Sequence, residues 1–237
     1  MEPAVHIDHL RADSAALLAA HAADPAAPVP SCPGWDRTTL LAHVAGVHSW
    51  VRAQAEAGPA ARIRLKETPR PPEDASELPG WFEANASGLA LALEAMDTSI
   101  EWPTWAGPQP GTFYPRRMAQ ETAVHRWDGA GGPIDAALAV DGVDELLELF
   151  AWLIPTEKLT VHGTIHLHAT DADGEWLVRI SDGGIAFEHG HAKGDVALRG
   201  GAGDLLLWAW NRAPVDNRFE VFGDPALLEQ WRTAVRF

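Results

Sequence analysis

Cysteine and tyrosine each occur once in the 237 residues, and the 18 basic residues face 33 acidic ones, a net charge of -15. A single thiol, Cys32, cannot form an intramolecular disulfide, and no CxxC pair exists to build a dithiol or a thiolate zinc site. Any metal must therefore be held by histidine and carboxylate. The excess of acids argues against nucleic acid as a partner. No uncharged apolar run approaches the roughly 20 residues of a membrane helix. The first thirty residues lack the basic start and apolar centre of a secretory signal, so a cytoplasmic protein is expected. GxSxG elbows, P-loops and GxGxxG fingerprints are missing too, which removes support for serine hydrolysis and nucleotide binding.

What is present is a globular composition, 46% hydrophobic and 22% charged, on a chain long enough for two domains. Eleven tryptophans are an excess best read as core anchors, with some left to line pockets. Apolar residues at helical spacing predict helices over Val5–Ala23, from Asp36 as N-cap to about Ala57, through Trp81, Leu89, Leu93 and Met96, through Met118 to Trp127, and from Val143 to Leu153. Arg62 to Pro79 and Trp102 to Gly111 are expected to be loops. Past Lys158 the period changes to two. Short antiparallel strands are expected over Val161–Ala169, Glu175–Ile180, Ile185–Glu188 and Val196–Arg199, then a helix over Gly203–Trp210, a strand near Phe219–Phe222 and a last helix after Asp224. The expected architecture is α+β in two domains: a helical bundle over residues 1–157, and a small antiparallel sheet with two helices over residues 158–237.

Glu121 and His125, four apart on a predicted helix, project from one face and can share an ion. The same spacing also describes a surface helix pair. His43 is a third candidate because it sits among Leu40, Leu41, Val44 and Val47, where an unpaired imidazole is costly; a hydrogen-bonded core histidine is the other reading. His48 is about 140° further around that helix and need not face the same ion. His166 and His168 share a strand face, as do His189 and His191, and adjacent strands could gather all four; polar residues on a half-solvated sheet are the commoner explanation. His6, His9 and His21 on the first helix are expected to be exposed. Cys32 reads as a packing residue.

Val29-Pro30-Ser31-Cys32-Pro33-Gly34-Trp35, then Leu41-Ala42-His43, then Glu121-Thr122-Ala123-Val124-His125-Arg126-Trp127-Asp128 resemble the mycothiol-dependent maleylpyruvate isomerase family. The stretches His168-Ala169-Thr170-Asp171, Gly174-Glu175-Trp176-Leu177, Leu205-Leu206-Leu207-Trp208 and Phe222-Gly223-Asp224-Pro225 continue the likeness in order. It implies a DinB-like antiparallel bundle followed by a sterol-carrier-like α+β domain. It also implies His43, Glu121 and His125 as metal ligands, with Zn2+ the usual ion and another divalent metal the variant. In such isomerases the thiol mycothiol binds the open metal position as a thiolate, adds to an electron-poor double bond, and leaves after rotation. The His, Glu, His set looks more like the isomerase than the all-histidine sites of related thiol transferases.

The resemblance puts Arg212 near the domain junction, where an arginine can meet an anionic substrate. Asp128 can orient a ligand imidazole or merely end its helix. Arg126 points about 100° from the ligands on an ideal helix and reads equally as a surface charge. The expected function is thus a mycothiol-dependent isomerase or S-transferase acting on a small electrophile, as monomer or homodimer, without nucleic acid or membrane. A zinc-hydroxide hydrolase and a non-catalytic metal-dependent small-molecule binding protein are the competing classes.

Overall fold

Along helix α1 (Pro3–Ala23) the buried residues are His6, Ile7, Leu10, Ser14, Leu17 and His21, a stripe at three- and four-residue intervals. Half of that stripe is polar. His6 and His21 are therefore buried, not exposed as their chemistry predicts, and His21 Nε2 lies 3.4 Å from Thr38 Oγ1. The computed structural model describes residues 1–149, 159–160 and 162–234 of the chain.

Helix α2 (Arg37–Ala57) begins at Asp36, whose carboxylate accepts from Thr39 N and from Thr39 Oγ1, both at 2.7 Å. This cap satisfies a backbone donor that the first turn leaves open and contributes about 1 kcal/mol. Helix α3 (Leu78–Glu94) and helix α4 (Phe113–Ala130) complete the bundle, with α4 and α3 each packed against both α1 and α2. Leu10, Leu17, Leu40, Leu41, Val44 and Leu89 are fully buried. Removing each such side chain from water is worth about 1.5–3 kcal/mol. At Gly129 the helices touch: a Cβ there would lie 2.8 Å from Leu17 Cδ1 and 2.9 Å from Leu40 Cδ2. Arg37 Nε donates to the Gly129 carbonyl at 2.8 Å and fixes the same approach.

Between α3 and α4, where a loop was expected, strands β1 (Glu101–Thr104) and β2 (Gly107–Pro110) form an antiparallel hairpin. Its prolines hide the alternation that would announce a strand. Trp102 is buried and its Nε1 donates to Asp97 O at 2.9 Å, while Tyr114 donates to Pro103 O at 2.7 Å.

The chain divides into compact units at Gly132 and Pro133, ahead of the boundary expected after residue 157. The reason is helix α5 (Ala136–Leu149), which begins earlier than expected. It packs in the second unit against helix α6 (Ala202–Ala209). The expected end of that helix at Leu153 lies outside the described residues.

The second unit is built on a five-stranded sheet of order β5-β4-β3-β6-β7, comprising β3 (Gly163–Ala169), β4 (Glu175–Ser181), β5 (Gly184–His189), β6 (Val196–Gly200) and β7 (Glu220–Gly223). It departs from the expected all-antiparallel sheet in one pairing: β3 and β6 are parallel. The chain leaves β5 and reaches β6 through residues 190–195, so both run in the direction of β3. Ile165, Leu167, Trp176, Val178 and Leu198 alternate onto the buried face. Helix α6 and helix α7 (Ala226–Ala234) pack on β3, and the Trp208 and Trp231 rings stack at 5.6 Å. Among the described residues no helix is long and apolar enough to cross a membrane.

Candidate metal centre

Glu121 and His125 sit one turn apart on α4, and the packing of α4 against α2 brings His43 opposite them. His43 Nε2 lies 3.5 Å and His125 Nε2 3.3 Å from the same oxygen, Glu121 Oε1. The two imidazoles meet nearly edge to face, 4.9 Å between centroids at 76°. All three ligand atoms lie within 4.8 Å of one another. Two imidazole nitrogens and one carboxylate oxygen aimed at a common point fit a divalent ion such as zinc, which tolerates this donor set and keeps a fourth position open when the protein supplies three ligands.

Depth differs across the set. The His125 side chain is 8% exposed, Glu121 21% and His43 38%, so the cluster opens to solvent on the His43 side. His43 is thus a rim residue and not a member of the buried α2 stripe in which its neighbours place it. Beside it lies a cleft of about 680 Å³ walled by Trp35, Ala42, Val47 and Leu65, with Lys66 and Arg70 supplying exposed positive charge.

The Val29–Trp35 motif builds one wall of this mouth. Val29 N donates to Trp35 O at 2.9 Å, Cys32 N to Val29 O at 3.0 Å and Trp35 N to Cys32 O at 3.0 Å, a tight loop that needs Gly34 at φ +87°. The loop sets the Trp35 ring 5.1 Å from that of His43. It also brings Cys32 Sγ to 3.7 Å from Asp128 Oδ2.

Behind the cluster, Asp128 Oδ2 accepts from His125 Nδ1 at 2.9 Å. A ring that donates from Nδ1 presents Nε2 as the free nitrogen, the orientation that a ligating histidine requires. Arg117, one turn before Glu121, reaches its other oxygen, with Nη2 3.0 Å from Glu121 Oε2, and is itself buried. The spacing that draws attention to His125 applies equally to Arg117, which the sequence reading missed.

Burial pushes the Glu121 carboxyl up, but His125, His43 and Arg117 outweigh it and hold the group well below the usual carboxylate range. Burial likewise presses His125 down and is overcome by Glu121 and Asp128, leaving its pKa raised to about 9. His48 is fully buried behind them, with its Nε2 2.9 Å from Thr122 Oγ1; burial, only partly opposed by the Glu121 charge, lowers its pKa to about 4.

Arg126 is no surface charge. Its Nε donates to Asp13 Oδ1 at 2.9 Å and its Nη1 to Gly131 O at 2.6 Å, tying the end of α4 to α1. Arg212 belongs to the second unit, where it follows Asn211, a left-handed residue at φ 59°, and its Nη1 donates to Trp210 O at 3.2 Å.

A four-helix unit that carries a histidine and carboxylate cluster at the mouth of a cleft, joined to a sheet-based α+β unit, defines the class of protein. Residues 7–130 match the family described as the mycothiol maleylpyruvate isomerase N-terminal domain, and residues 137–230 match the C-terminal domain of the same family. The chain belongs to the mycothiol-dependent maleylpyruvate isomerase family. Its fold is similar to a crystal structure of the mycothiol-dependent maleylpyruvate isomerase, 14% identical, covering 93% of each chain at a TM-score of 0.62. It is also similar to a histidine-to-alanine mutant of that isomerase, 15% identical, covering 90% of each chain at a TM-score of 0.64. No curated protein matches the chain.

Proposed function

We propose that the protein is a metal-dependent, mycothiol-using enzyme that isomerises a small electrophile of the maleylpyruvate type or transfers the thiol onto one. The observation that carries this reading is the convergence of His43 Nε2, Glu121 Oε1 and His125 Nε2 on one point at the mouth of the cleft. A zinc ion held there would supply the positive charge that deprotonates a thiol near neutral pH, a thiol being otherwise largely protonated.

The chain's own residues do the rest. Asp128 holds the His125 tautomer, and Arg117 fixes the carboxylate of Glu121. Trp35, Val47 and Leu65 give the cleft apolar walls that exclude water from a thiol adduct. Lys66 and Arg70 offer positive charge to a carboxylate-bearing substrate, against the acidic character of the chain as a whole. On this reading the protein needs no nucleophilic cysteine of its own, and Cys32 serves the loop. A chain with a single cysteine forms no intramolecular disulfide, which fits a reducing compartment, and our reading is of a cytoplasmic enzyme.

The test is turnover of maleylpyruvate by the purified protein with mycothiol and zinc each present or withheld. Turnover should require both, and His125→Ala should lower it at least 100-fold. Turnover that persists without the thiol would overturn the thiol mechanism and favour hydrolytic chemistry.

A further inference from the structure

The second unit gathers a different set of donors. His166 and His168 lie two apart on β3 and so share a face of the sheet, and Glu175 on β4 stands directly opposite His168. Residues 190–195 then cross the sheet from β5 to β6 and deliver His191 to the same spot. Glu175 Oε1 lies 2.9 Å from His168 Nδ1, and Glu175 Oε2 lies 3.0 Å from His191 Nδ1 and 3.3 Å from His166 Nε2. The three rings are mutually perpendicular, each pair at 89°, with centroids between 5.2 and 6.5 Å apart. One nitrogen from each ring and a carboxylate oxygen all fall within 4.8 Å of one another. His189, which alternation could have brought along, turns away and lies 3.5 Å from Asp144.

We propose that His166, His168, Glu175 and His191 form a second divalent-metal site, a closed set of three imidazoles and one carboxylate that takes zinc. Hydrogen bonding alone would aim three N–H donors at the two oxygens of one carboxylate and crowd like dipoles together. A cation instead draws a lone pair from every inward atom, and four such ligands are the number a structural zinc site uses. Imidazole-rich sets of this kind select zinc, copper or nickel over magnesium or calcium.

The fold gives the site a task. The parallel partners β3 and β6 are separated by residues 170–195, which hold β4 and β5 and no helix, so residues 190–195 alone carry the chain from the β5 side of the β4–β3 pair to the β6 side. Both ends of the crossing are fastened: Gly190 N donates to Glu175 O at 3.0 Å, and Asp195 N to Thr164 O at 3.0 Å. Gly194 passes so close that a Cβ would lie 2.9 Å from His166 N. Between these points the segment carries no strand; the Asp195 carboxylate ties its far end to Thr164, and His191 reaches Glu175 from its near end. A metal ion clamps the crossing to β3 and β4 and stabilises the parallel pairing that the crossing creates.

The experiment is zinc stoichiometry on the full chain, measured by atomic emission after equilibrium dialysis against micromolar zinc. A His43→Ala/His125→Ala variant removes the first cluster and should retain one zinc per chain. Adding His191→Ala should reduce that to none, and because the His191 side chain is 80% exposed this change leaves the fold standing. Cobalt bound to the double variant should give an intense visible band of tetrahedral geometry, absent from the triple variant. A folded double variant that binds no zinc, or a triple variant that binds as much as the double, would overturn the proposal.

Discussion

Asp128 accepts a hydrogen bond from His125 Nδ1 at 2.9 Å, and the opposite nitrogen of the same ring is thereby turned toward Glu121. Partners of this kind fix the tautomer and raise the basicity of a ligating imidazole, and losing one typically weakens metal affinity 10- to 100-fold. Asp128→Asn keeps the shape of the side chain and removes the charge. Zinc affinity measured against a competing chelator should fall within that range while helicity is unchanged. An affinity equal to that of the native protein would show that His125 is oriented by other means.

Arg117 and Glu121 make the complementary case, with Nη2 3.0 Å from Oε2 and the Arg117 side chain 6% exposed. Removing Arg117 strips Glu121 of one charge-assisted hydrogen bond while His125 and His43 still face it, at a cost of about 1.5 kcal/mol. Arg117→Met should destabilise the metal-free protein by that order in chemical denaturation. Zinc should restore more stability to the variant than it adds to the native chain, because it replaces the missing charge beside Glu121.

His48 sets a limit on the acid side. Its pKa in the folded protein is lowered to about 4 by burial; Glu121 opposes that shift, while His125 and His43 add to it. The unfolded chain binds the proton near 6.5, so between these values it takes up more protons than the folded chain. The contribution is fully present above pH 6.5 and is lost as pH falls toward 4, about 3 kcal/mol over the interval. His48→Gln retains a polar side chain for Thr122 without this titration. The native protein should lose stability relative to the variant between pH 7 and pH 4.5, and parallel profiles would refute the assignment.

Legibility in the sequence varied with the range of the interaction. The α2 cap at Asp36 and the shared face of Glu121 and His125 depend on neighbours within one turn, and both could be read from spacing. That His43 faces them depends on how α2 packs against α4; its apolar neighbours made it a candidate, and the family resemblance joined it to the other two. The buried polar stripe of α1 was illegible because packing against both α3 and α4 covers residues whose chemistry favours water. The β1–β2 hairpin escaped because its prolines interrupt alternation. Likewise the parallel pairing of β3 with β6 leaves no local mark: period-two residues fit either direction, and the crossing at residues 190–195 resembles any polar loop. The same crossing explains why His191 joins His166 and His168 while His189 does not.

Lys66 and Arg70 line the cleft beside His43 and carry the proposed recognition of an anionic substrate. Both are exposed, so their charge is of little use to stability and is available to a ligand. A charge-assisted contact with a carboxylate that is made equally in the ground and transition states lowers KM without changing kcat. If each contact is worth about 1.4 kcal/mol, Lys66→Ala and Arg70→Ala should each raise KM about tenfold for a carboxylate-bearing substrate. Neither should alter the value for an uncharged electrophile, nor change zinc content or thermal stability. Steady-state kinetics with a charged and a neutral acceptor separate the cases: an equal rise in KM for both would mean that the residues shape the cleft, and no rise for either would place the anion elsewhere.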